Sequence, residues 1–121
     1  MIYRRKTYII YSSFVEEFNA LFNEILLPSQ QKYGARLIGR WHMPIDDEIS
    51  EIFAMWEYDS MEQYEQIEEQ IKADEAHVNR VQARFDLIGR DRIKTAWREN
   101  IQQQFFTSTV DRKDTILSPR P

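Results

Sequence analysis

The order in which two hydrophobic periodicities follow one another is the strongest constraint this chain carries. A strand-like opening leads into a helical pattern, then two strand-like runs around a short turn, a long helical pattern and a last strand-like run. That βαββαβ order predicts an α+β, ferredoxin-like domain: one four-stranded antiparallel sheet with its helices on one face. A chain of 121 residues buries roughly two-thirds of the surface its unfolded form exposes, enough for one core. The expected division is a domain over 1–110 and a C-terminal tail over 111–121.

Residues 2–11, IYRRKTYIIY, are rich in aromatic and β-branched types and lack Gly and Pro, so they read as a strand. Ile2, Arg4, Lys6, Tyr8 and Ile10 share one side; Tyr3, Arg5, Thr7, Ile9 and Tyr11 share the other. Both sides mix apolar with polar residues. That mixture implies a cover on each, helices on one face and a partner subunit on the other.

Ser13 and Glu16 fit a capping box that opens the first helix, whose stripe is Phe14, Val15, Phe18, Leu21, Phe22, Ile25 and Leu26. Pro28 predicts a kink or an end, and Gly34 a stop. Residues 35–43 and 49–58 form a hairpin around the turn 44–48, which would bring Trp41 and Trp56 close together. Ser60 with Gln63 is a second capping box, followed by a seam of Tyr64, Ile67, Ile71, Val78, Val81, Phe85 and Ile88. Asp74 interrupts that seam; it either finds a partner there or caps a second helix. Gly89 ends the pattern, 93–98 form a shorter helical piece, and 101–110 supply the fourth strand.

There are no cysteines, which removes disulfides, thiolate nucleophiles, Cys-ligated zinc and iron–sulfur clusters. A net charge of −4 argues against nucleic acid as partner. No apolar run approaches the roughly 20 residues of a membrane span, and the strand pattern begins too early for a signal peptide, so a cytoplasmic location is expected.

Several short segments resemble one family: Ile2-Tyr3 with Lys6-Thr7-Tyr8, Tyr33-Gly34-Ala35, Leu37-Ile38-Gly39-Arg40-Trp41, and Met55-Trp56-Glu57-Tyr58 with Ser60. Together they resemble the NIPSNAP family of the dimeric α/β-barrel superfamily, and Ser118-Pro119 is similar to the Ser-Pro with which such domains often finish. Two departures stand out: Lys6 where the family often has Arg, and Ser12-Ser13 where it often has Pro-Gly. The resemblance implies a homodimer in which two sheets pack face to face across a two-fold axis with helices outside. The wider superfamily includes cofactor-free monooxygenases, haem-degrading enzymes, isomerases and binding modules, so fold alone does not select an activity.

The residues with chemical potential are few. His77, on the long helix, could ligate a haem iron, as a helix histidine does in the related haem-degrading enzymes; the plainer reading is a helix residue beside Asp74. His42 is a second acid–base candidate, and no metal is expected because the two histidines have no recognised ligand spacing. Arg4, Lys6, Tyr8 and Arg40 form a patch suited to a carboxylate or enolate, unless they pair with Glu51 and Glu57 across the strands, the favoured alternative. Tyr8, Trp41, Trp56 and Tyr58 either line a pocket for a flat molecule or fill the core or dimer interface.

Three functional readings follow. The first is a homodimer of undefined biochemical role that binds a small organic molecule or a protein partner through Tyr8, Arg40, Trp41, Trp56 and Tyr58. The second is a cofactor-independent monooxygenase or isomerase for an aromatic or polyketide-like substrate, with His77 or Lys6 moving a proton. The third is haem binding through His77. No cofactor is needed by the first two, and whether the chain is an enzyme is left open.

Overall fold

A computed structural model describes residues 1–110; the expected tail over 111–121, with Ser118-Pro119, lies outside them. Strand β1 (Ile2–Tyr11) is followed by a helical segment, β2 (Arg36–Pro44), β3 (Ile49–Tyr58), three further helices, and β4 (Gln102–Phe106). The sheet order is β2-β3-β1-β4, with every neighbour antiparallel. β1 and β2 therefore run parallel with β3 inserted between them, the ferredoxin-like arrangement that the order of patterns predicts.

Cross-strand register decides which residues share a face. Arg4 lies opposite Trp56, Lys6 opposite Ala54 and Tyr8 opposite Ile52. These residues face the helices, where one core cluster gathers Ile10, Phe14, Phe18, Leu21, Ile25, Ile52 and Ala96. A second gathers Phe22, Ala35, Ala54, Trp56, Tyr58, Ile67 and Ile71. Phe22 sits at the junction and packs against Trp56 with ring centres 6.1 Å apart.

The first helical segment departs from expectation at its start. Ser13 does not cap it: the chain enters through a 3₁₀ turn, Ser12–Phe14, without a side-chain cap. Ser12 N–H is instead satisfied by the Glu48 carbonyl at 2.7 Å, so a tertiary contact does the work of the cap. The helix does not end at Pro28 either. After α1 (Val15–Leu21) a π turn, Phe22–Leu26, shifts the hydrogen-bond pattern, and α2 (Leu27–Lys32) carries Pro28 in its first turn, where a missing N–H costs little. Gly34, at φ +103°, provides the expected stop.

The long helical pattern divides at Asp74. α3 (Met61–Ala73) starts at Ser60, whose Oγ accepts from Gln63 N–H at 3.1 Å, while Gln63 Oε1 accepts from Asp59 N–H at 2.6 Å. Asp74 caps α4 (Glu75–Ile88) by accepting from His77 N–H, and its other oxygen accepts from the Tyr33 hydroxyl at 2.7 Å. Those bonds hold its carboxyl well below the usual range, the Tyr33 hydroxyl contributing most. α5 (Arg90–Ala96) follows Gly89.

The other face of the sheet carries no helix. Trp41, Met43 and Phe106 are exposed there, beside half-buried Ile9, Phe53 and Met55. Trp41 stacks on Phe53 at 5.3 Å on this face, whereas Trp56 lies on the helix side, so the expected meeting of the two tryptophans does not occur. The register places Trp41 opposite Phe53 and Trp56 opposite Leu37, and strand alternation then sends the indoles to opposite faces.

Candidate functional site

An interior cavity of about 180 Å³ lies between the sheet and the helices. Its floor is Arg4, Lys6 and Tyr8 from β1 with Ala54 and Trp56 from β3; Phe22, Leu26, Gln30, Ile71 and His77 close it from the helical side. Five residues singled out from the sequence, Arg4, Lys6, Tyr8, Trp56 and His77, thus share one cavity.

Arg4 is 2% exposed and is held from several directions. Its guanidinium lies 4.9 Å from the Tyr64 ring centre and 5.8 Å from those of both Trp56 and Tyr58, and Nη1 reaches Glu68 at 3.5 Å. Tyr58 accordingly stands behind Arg4 in the core instead of lining the cavity. Lys6 has no carboxylate within ion-pair reach among the described residues; its nearest described aromatic neighbour is Tyr8, with Nζ 5.6 Å from the ring centre. Burial, then the charge of Arg4, pushes its amine below the ordinary lysine range. Burial pushes the Tyr8 phenol up to about 12, so its hydroxyl stays protonated as a donor at neutral pH.

His77 is buried at the start of α4, and its Nδ1 shares a 2.6 Å hydrogen bond with Ser29 Oγ from α2. Burial lowers its pKa, keeping the imidazole neutral at pH 7, and the Ser29 bond leaves Nε2 as the nitrogen available to a ligand. Gln30 adds a buried Oε1 without a partner among the described residues.

The favoured ion-pair reading of the β1 patch is overturned. Glu51 and Glu57 lie on the helix-free face, paired with Arg5 at 3.6 Å and Arg36 at 2.7 Å, because odd-numbered residues of β3 point away from Lys6 and Tyr8. Arg40 faces the helices but stands beyond Phe22, with its guanidinium 4.4 Å from that ring and 4.8 Å from Phe18. Its Nη1 donates to Asn19 Oδ1 at 2.6 Å, Nε and Nη2 are buried without partners, and burial pulls its pKa down to about 10. Arg40, Trp41 and His42 line a separate open groove, and His42 Nε2 bonds Ser50 Oγ at 2.9 Å. His42 and His77 are thus kept apart, and no cluster of three His, Asp or Glu groups converges among the described residues.

Ser29 and Gln30 were not legible as site residues, because Pro28 just before them signals a kink or an end and leaves open which way the following residues face. Phe22, Leu26 and Ile71 were legible as apolar stripe positions but not as cavity walls.

A half-buried cation with no ion pair among the described residues has a measurable consequence. Lys6→Met replaces it by an apolar chain of similar length, and the melting temperature should rise by a few degrees, about 1 kcal/mol or more. Because the folded pKa of Lys6 is lowered, its penalty on wild type is full below that folded pKa and fades as pH rises toward the ordinary lysine value. The gain from Lys6→Met, followed by thermal denaturation against pH, should shrink over that alkaline window.

The comparisons with known proteins agree with this architecture. A NIPSNAP-like domain protein from Burkholderia xenovorans is similar at TM-score 0.68 and 17% identity, over 92% of this chain and 87% of that one. A NIPSNAP family protein from Agrobacterium tumefaciens is similar at TM-score 0.66 and 21% identity, over 98% and 96%. A second NIPSNAP domain protein from Burkholderia xenovorans gives 0.65 and 20%, over 94% and 100%. These likenesses concern the fold. No curated protein matches the sequence. The NIPSNAP family model matches residues 3–97, a span that runs from the first strand through the whole cavity wall to Trp97. By that match the chain belongs to the NIPSNAP family.

Proposed function

We propose that this protein is a homodimeric module that binds a small organic molecule in the cavity between its sheet and its helices. The observation that carries this reading is the cavity itself: a space at core level that collects an amine, a phenol, a neutral imidazole and an unsatisfied amide oxygen beside Trp56 and Phe22. Apolar walls with a few convergent polar groups are the usual make-up of a ligand site. The homodimer rests on the helix-free sheet face, where Trp41, Met43 and Phe53 offer apolar surface beside the Arg5–Glu51 pair, and Phe106 adds more on β4 beside Tyr3.

Native mass spectrometry of the protein as purified tests both parts. The expected species is a dimer at twice the 14.7 kDa chain mass, carrying an extra mass that denaturation releases. A bare dimer would favour a protein partner, and a monomer would remove the face-to-face packing.

A catalytic reading has one observation in its favour: His77 shares the cavity with Lys6 and Tyr8. A base at Nε2 opposite a cation and a phenolic donor is suited to taking a proton from a carbon acid and holding the resulting enolate, as an isomerase or cofactor-independent oxygenase requires. Solvent deuterium exchange into the methyl group of acetophenone is a simple probe. Acceleration that His77→Gln abolishes would support catalysis; no acceleration leaves binding as the role. Haem fits poorly, since 180 Å³ is below even the roughly 300–1,000 Å³ of sites for drug-sized ligands.

A further inference from the structure

The charges around the cavity do not balance. Arg4, Lys6 and Arg40 all approach it or its Phe22 wall; among the described residues Glu68 pairs with Arg4, and Asp74 is engaged by Tyr33, Lys32 and the His77 N–H. Lys6 forms no ion pair among the described residues and feels Glu68 only at longer range, and Arg40 has only the neutral Asn19 amide oxygen. The imidazole of His77 is neutral, and the Tyr8 hydroxyl is a donor. This interior excess of positive charge occurs in a chain whose net charge is −4, so it is not a by-product of a basic composition.

Lys6 and Arg40 are half-buried, and a cation partly withdrawn from water without a carboxylate partner gains when an anion is supplied from outside. The helical wall is mixed: Phe22, Leu26 and Ile71 offer apolar surface to the floor that carries the cations, beside the polar Gln30 and the neutral His77. Resting on the small-molecule reading above, we infer that the ligand is a small organic anion, a carboxylate or enolate. Its charged end is held by Lys6 and Tyr8, and its flat apolar body lies between Phe22, Leu26 and Trp56. The small volume limits it to a compact acid, and the charge of Arg40, which is felt at Tyr8, adds to the potential that draws it in.

Calorimetric titration of the intact protein at pH 7 with benzoate and with its neutral isostere benzamide tests the charge requirement. Benzoate should bind at least tenfold tighter than benzamide. Lys6→Met should bring the two within about twofold, Lys6→Arg should retain the preference for benzoate, and Tyr8→Phe should weaken benzoate several-fold. Equal binding of the two probes to wild type would overturn the anion inference while leaving the small-molecule site standing. A benzoate preference that survives Lys6→Met would also overturn it, by placing the anion elsewhere. Failure of both probes to bind at millimolar concentration would count against the cavity as a ligand site altogether.

Discussion

Trp56→Ala should lower the stability of this protein by about 3–5 kcal/mol, the largest loss expected from any single truncation on the cavity floor. The indole is 2% exposed and packs on Phe22, and the Arg4 guanidinium lies over its ring. Truncation would therefore open a void beside an existing cavity and strip Arg4 of part of its cation–π environment. Against a typical 5–15 kcal/mol for a domain, such a loss is a large fraction of the total. Urea denaturation should show a midpoint well below wild type. Trp56→Phe, which keeps an aromatic face, should recover more than half of the loss. A midpoint for Trp56→Ala within experimental error of wild type would show that the indole is not part of the packed floor.

The second large effect belongs to the helix-free face. Phe53 stacks with Trp41 at its centre, and the Arg5 guanidinium lies 4.8 Å from the Phe53 ring. In a two-fold dimer that buries this face, Phe53→Asp would bury a charge twice, once from each protomer. Arg5 beside it is already engaged by Glu51, so the added carboxylate has no cation of its own; a buried charge in that state costs about 3–5 kcal/mol, and the dimer should weaken by at least 10²–10³-fold and sediment as a monomer at micromolar concentration. The monomer should retain its helix and strand content by circular dichroism, because Phe53 contributes to neither core cluster. A Phe53→Asp protein that remains dimeric would place the association elsewhere.

The parts of this molecule that local patterns determine were readable in its sequence. The hairpin strands, the Ser60 cap and the stop at Gly34 depend on residues within a few positions of one another, and they stand where those residues predict. Asp74 was ambiguous for a physical reason. A carboxylate on an apolar seam can be rescued by a partner or by becoming a cap, and here it does both, with Tyr33 on one oxygen and His77 N–H on the other. The failures came where distant backbone replaced a local device. Ser13 and Glu16 have the letters of a capping box, but the Glu48 carbonyl already satisfies the entering N–H of Ser12. Pro28 reads as a kink or an end; the helix does not end there, and after the π turn that precedes it Ser29 comes into contact with His77.

The site was legible as a set of residues and not as a place. Alternation put Arg4, Lys6 and Tyr8 on one side of β1, yet both sides of that strand are mixed, so nothing local said which side met the helices. The register of β3 settles that question, sending Trp56 to the cavity and Glu51 and Glu57 away from it. Trp41 and Arg40, adjacent in sequence, part for the same reason: one belongs to the open face and the other to the wall beyond Phe22.

The three tryptophans make the central claim directly measurable, because their indole N–H groups give three separate signals in a ¹⁵N-correlated NMR spectrum. Trp56 forms the cavity floor, Trp41 stacks on the helix-free face and Trp97 packs among Tyr8, Phe14 and Phe18. On titration with benzoate the Trp56 signal should move progressively and saturably, with Trp41 unmoved, and Lys6→Met should suppress the shift. Movement of Trp41 with Trp56 stationary would mean that small molecules bind on the outer face or in the groove, and that the cavity between sheet and helices is not the site.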